Sequence, residues 1–72
     1  MSRKSKSPVL ASGPIYPIGT LVRVIRPNVL WAGLFGTVIT HTPEKLHRVR
    51  LISYEGAEFD AEIPGAQLEY EL

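Results

Sequence analysis

Between Leu21 and Val38 the sequence reads LVRVIRPNVLWAGLFGTV: two β-rich runs separated by a proline and a bulky apolar connection. In Thr20–Arg26, Val22 and Val24 fall on one face and Leu21, Arg23 and Ile25 on the other. That is the period of two expected of a half-buried strand. Pro27 has no N–H to give to a ladder, so the strand should stop near Arg26, with a loop through Pro27–Gly33. Gly33–Thr40 reads as a second strand, entered through glycines that permit a bulge or tight bend. This stretch commits the chain to a sheet.

The remainder supplies the strands needed to complete that sheet. His41–Lys45 reads as a turn and Leu46–Ser53 as a third strand, with Val49 and Leu51 on one face and Arg48, Arg50 and Ile52 on the other. Tyr54-Glu55-Gly56 is a short hairpin connection. Glu58–Ile63 then alternates cleanly, Phe59, Ala61 and Ile63 inward against Glu58, Asp60 and Glu62 outward. Pro64–Gln67 has room for one tight helical turn before a last strand, Leu68–Leu72. No segment carries a helical apolar period. The expected fold is all-β, a small five-stranded antiparallel barrel of SH3-like type. Its inward set is Val22, Val24, Val38, Val49, Leu51, Phe59, Ala61, Ile63 and Leu68.

A chain of 72 residues is one domain at most, and no cysteine is present to staple it or to serve as nucleophile or metal ligand. Its 44% hydrophobic content places it with globular chains, not disordered ones. Residues 1–17 carry Arg3, Lys4 and Lys6 and no acid, and are read as a disordered basic arm whose Ile15 and Tyr16 can pack back on the body. Residues 18–72 form the barrel and carry five basic residues against seven acidic ones. That balance lacks the strongly basic face of a duplex-DNA binder. No apolar run is long enough to span a membrane, and the basic start is not followed by an apolar signal core. A cytoplasmic protein is expected, or a soluble subunit seated on a larger complex.

Catalytic patterns are hard to find. His41 and His47 flank a turn, six apart, where they can meet across a hairpin, and read as two solvated turn histidines; a metal site would need further ligands, with Glu44 the nearest option. Ser53 lacks the glycines of a nucleophile elbow, and Gly33-x-x-Gly36 lacks the lysine and helix of a phosphate loop. No enzyme activity and no cofactor are expected of this chain alone. Arg23, Arg48 and Arg50, by parity, point outward, where guanidinium groups can grip carboxylates or phosphates or pair with acids on neighbouring strands. Arg26, Trp31 and Tyr54 lie on or beside loops, where large aromatics mark contact surfaces; Trp31 can alternatively close the barrel's open end. Arg23, Arg26, Trp31, Arg48, Arg50 and Tyr54 are therefore the candidate partner-binding residues. The expected partner is an acidic protein or a larger complex, with RNA or single strands as the alternative and an oligomeric barrel enzyme as a third reading.

Val22-Arg23-Val24-Ile25-Arg26-Pro27, followed by Trp31 and Gly36-Thr37-Val38, resembles the opening of the photosystem I subunit IV (PsaE) family. Val49-Arg50-Leu51 is similar to that family's Val-Arg-Phe strand. The resemblance covers residues 19–51 and implies an SH3-like barrel docked on a larger redox complex, helping to seat an acidic electron carrier of the ferredoxin type. Arg50, Arg23 and Arg26 fall on the family's basic positions. Gly33-x-x-Gly36-x-Val38 is also similar to the KOW pattern of ribosomal and elongation-factor barrels. Trp31-x-Gly33 resembles the plasmid-borne type II dihydrofolate reductases, but Asp60-Ala61-Glu62-Ile63 stands where their Val-Gln-Ile-Tyr active-site strand would be.

Overall fold

The computed structural model describes residues 13–71. The basic cluster Arg3, Lys4 and Lys6 and the terminal Leu72 lie outside the described residues. Five strands follow in order: β1 (Leu21–Val24), β2 (Phe35–His41), β3 (His47–Ile52), β4 (Glu58–Ile63) and β5 (Leu68–Tyr70). A single 3₁₀ turn, Gly65–Gln67, precedes β5. The strands form one antiparallel sheet in the order β4-β3-β2-β1-β5, so β2, β3 and β4 meander and the chain returns to lay β5 beside β1.

β4 and β5 are the two edges, and no ladder joins them among the described residues. The sheet nevertheless curls. Ala61 and Ile63 of β4 share one buried cluster with Leu68 of β5, though three strands separate them in the sheet. A one-faced sheet must bury its apolar side against something, and here that partner is itself. Of the expected inward set, all but Phe59 are buried, and Phe59 packs half-buried against the cluster. Tyr16, Leu34 and His47 complete the core.

β1 is shorter than its apolar run. Beyond Val24 the Ile25 amide still donates to the Gln67 carbonyl (2.9 Å), in register with β5, and the following Arg26–Pro27 peptide is cis. β2 extends one residue past the expected end, to His41, and carries a register shift between Val38 and Thr40. The extra residue lets the ladder bend, as a sheet wrapping on itself requires.

Tyr16 fastens the segment before β1 to the sheet. Its ring is 6% exposed, its hydroxyl donates to the Leu68 carbonyl (3.1 Å), and Tyr70 meets it edge-on with centroids 4.8 Å apart. Burial, with Tyr70 and Glu69 nearby, pushes the phenol above its usual range, so it stays a donor. Ile15 remains exposed.

Candidate functional site

The β3–β4 register decides what the strand arginines do. Arg48 stands opposite Glu62 and Arg50 opposite Asp60, and each makes an ion pair with that neighbour, at 2.7 Å and 3.0 Å. Glu58 falls opposite Ile52 and takes no part in these pairs. Arg23 is held more firmly. Its Nε and Nη2 grip both oxygens of Glu71 (2.6 and 2.7 Å), its Nη1 donates to the Gly33 carbonyl (3.1 Å), and its guanidinium lies 5.9 Å from the centre of the Phe35 ring. The hydrogen bonds from Arg50 and Arg23 hold the Asp60 and Glu71 carboxyls below the usual range.

The outer face of the sheet is therefore net acidic, not basic. Three arginines (Arg23, Arg48, Arg50) share it with five acids (Glu58, Asp60, Glu62, Glu69, Glu71). An incoming carboxylate or phosphate would have to displace acids already in place. Exposed pairs of this kind are weak and salt-sensitive, but they leave no spare cation.

The loop between β1 and β2 has a different character. Its base is closed by Gly33 N–H to the Val24 carbonyl and Val24 N–H to the Leu34 carbonyl, both 2.8 Å. Gly33 has φ of 97°, a backbone shape that L-residues rarely adopt. Inside the loop the Asn28 side chain organises the turn. Its Oδ1 accepts from the Leu30 and Trp31 amides (3.1 and 2.9 Å), and its Nδ2 donates to Gln67 Oε1 (3.0 Å). An asparagine that bonds its own following amides imitates a backbone turn and fixes it. This role was invisible in the sequence beyond the turn propensity of Pro27-Asn28.

Fixing the turn lifts two apolar side chains into solvent. Val29 is 91% exposed and Leu30 75%. Trp31 points the other way, half-buried against the core, with its ring 6.0 Å from that of Phe59 on β4. It packs on the core and is not a fully exposed aromatic of the loop. Arg26, Pro27, Asn28, Val29 and Ala32 line an open groove of about 560 Å³. Among the described residues Arg26 makes no ion pair and no side-chain hydrogen bond, alone of the four candidate arginines.

Tyr54 is 86% exposed on the β3–β4 connection. Its hydroxyl lies so near the loop base that a Cβ on Gly33 would sit 3.0 Å from it. The structure thus draws Arg26 and Tyr54 toward the β1–β2 loop. It sets Arg48 and Arg50 apart on the outer sheet face and turns Trp31 inward.

The histidines correct the sequence reading. His47 is not a solvated turn residue: it lies in β3, 0% exposed, sharing its inward parity with Val49 and Leu51. His41 is the last residue of β2, half-buried, and the two rings meet edge-on at 5.3 Å. His47 is tolerated inside because both ring nitrogens are bonded, to the Ile63 carbonyl and the Tyr16 amide. Strand parity was the signal that would have placed it. Among the described residues no three His, Cys, Asp or Glu side chains are grouped to hold a metal ion, and no helix is long and apolar enough to cross a membrane.

Compared with protein-family models, with curated proteins and with solved structures, the chain finds no match.

Proposed function

We propose that the protein is a non-catalytic docking module with the SH3-like barrel topology, an accessory unit that seats on a larger assembly through its β1–β2 loop. The topology is supported by the β2-β3-β4 meander, the 3₁₀ turn and the return of β5 to β1. The observation that carries the function is the pair Val29 and Leu30, exposed on a loop whose conformation is fixed by hydrogen bonds. Apolar side chains held out on a fixed turn lose little freedom on binding and gain by burial in a partner. Arg26 beside them adds one positive charge without a carboxylate among the described residues. The partner this surface fits is a protein with an apolar recess rimmed by acidic side chains.

The test compares proteins retained from native lysate by the wild-type chain, by Val29→Ser/Leu30→Ser and by Arg48→Glu/Arg50→Glu. A partner identified by mass spectrometry should be lost, by at least about tenfold in affinity, from the loop variant at unchanged melting temperature. It should persist on the strand-face variant, and Arg26→Glu should weaken it most at low salt. Retention of every partner by the loop variant would exclude this surface. Gel shifts with single-stranded and duplex RNA and DNA at low salt test the nucleic-acid alternative, since phosphate contacts are strongest there. Tight binding that survives Val29→Ser/Leu30→Ser would replace the protein-docking reading.

A further inference from the structure

Residues 13–18 run across the end of the sheet as a strap, and their attachment is chemically asymmetric. The Tyr16 amide donates to His47 Nε2 (2.8 Å), and the Tyr16 carbonyl lies 2.7 Å from His41 Nε2. His47 Nδ1 is 3.2 Å from the Ile63 carbonyl. A backbone N–H can only donate and a carbonyl can only accept, so the contacts fix both rings. His47 carries its proton on Nδ1 and offers a bare Nε2 to Tyr16. His41 carries a proton on Nε2 and gives it to the Tyr16 carbonyl. Protonating His41 preserves its bond. Protonating His47 puts an N–H against the Tyr16 N–H and destroys the other.

We propose that His47 is an acid-released latch on the strap: protonation of its Nε2 breaks the bond to the Tyr16 amide and frees residues 13–18 from the sheet. Among the described residues only the Ile63 carbonyl, already bonded to Nδ1, favours the added charge, and burial outweighs it. The strap faces it with the Tyr16 ring (centroids 5.5 Å apart), β2 with His41 and β4 with the Ile63 carbonyl; Tyr70 of β5 lies against Tyr16. Among the described residues neither imidazole is hydrogen-bonded to a carboxylate. The strap is otherwise closely seated. A Cβ on Gly13 would run into the backbone of Gly65 and Ala66, and one on Gly65 into the Pro14 carbonyl. Release would bare the Tyr16 ring and its floor of His47, Leu68 and Tyr70.

The pH window follows from linkage. Burial, with His41 adding to it, pushes His47 below its ordinary value of 6.5. The free strap then binds the proton more readily than the seated one, so seating is fully favoured above about 6.5 and weakens as pH falls below it. Asp60 and Glu71, held below the usual carboxylate range by Arg50 and Arg23, lose their contribution only in more acid solution.

Amide hydrogen exchange on the full ¹⁵N-labelled chain between pH 8 and pH 4.5, corrected for intrinsic rates, tests the latch. Protection of the Tyr16 amide should fall by about tenfold for each pH unit below 6.5 and stay well below that of Val49 in β3, whose amide is freed only by global unfolding. His47 ring ¹⁵N shifts should show Nδ1 protonated and Nε2 bare at pH 8. His47→Gln, whose amide offers one acceptor and one donor and does not titrate, should flatten the Tyr16 profile; His41→Gln should leave it sloping. Equal protection of Tyr16 and Val49 at every pH would mean that Tyr16 opens only on global unfolding and would overturn the latch. So would a Tyr16 profile that is flat in wild type, and that result needs no variant to fold.

Discussion

Tyr16→Ala is expected to cost about 3–4 kcal/mol of folding stability, the range for deleting a buried aromatic. The substitution removes a ring that is 6% exposed, its hydroxyl bond to Leu68 and its edge contact with Tyr70. In a domain this small, each kcal/mol moves the melting temperature by roughly 4–8 °C, so a fall of roughly 15 °C or more should appear in thermal unfolding. Tyr16→Phe keeps the ring and should lose only about 1 kcal/mol, the net value of one hydrogen bond. If Tyr16→Ala unfolded at the wild-type temperature, the segment before β1 would be an appendage and not part of the core.

Gly36→Ala is the second large effect. Gly36 sits inward in β2, opposite Val22 of β1 and Leu51 of β3. A Cβ there would run into the Arg50 carbonyl and the Leu51 Cα, so the clash is with backbone and no rotamer relieves it. A loss of about 3 kcal/mol is expected, the upper part of the range for overpacking. Urea unfolding should show a lower midpoint at an unchanged slope, since the surface exposed on unfolding is nearly the same. A neutral Gly36→Ala would mean that β2 and β3 can separate at this point without cost.

The strands were legible because their side chains alternate. Glu58–Ile63 was bounded to the residue, since three acids and three apolar residues leave one way to face. β1 ends at Val24, short of the expected Arg26, although Ile25 keeps one bond to Gln67 in register with β5. His47 was misplaced by polarity: a histidine between a turn and a strand looks solvated until its two partners are known. Tyr16 lies in a proline-rich stretch without a period, so only the fold reveals its depth. The arginine pairs depended on cross-strand register, which set Arg50 opposite Asp60 and left Glu58 aside. The apolar loop tip was visible as composition, whereas its outward aim came from the asparagine that turns it.

Asn28 has a consequence for the thermodynamics of association. Its bonds to Leu30, Trp31 and Gln67 hold the Val29–Leu30 tip in one shape before any partner arrives. Ordering a slack loop during complex formation costs about 0.5–1.5 kcal/mol for each side chain immobilised. A tip that is already set avoids much of that loss. If the loop docks as proposed, Asn28→Ala should therefore weaken partner binding while every contacting side chain remains. The signature would be a more unfavourable binding entropy in calorimetry at a similar enthalpy.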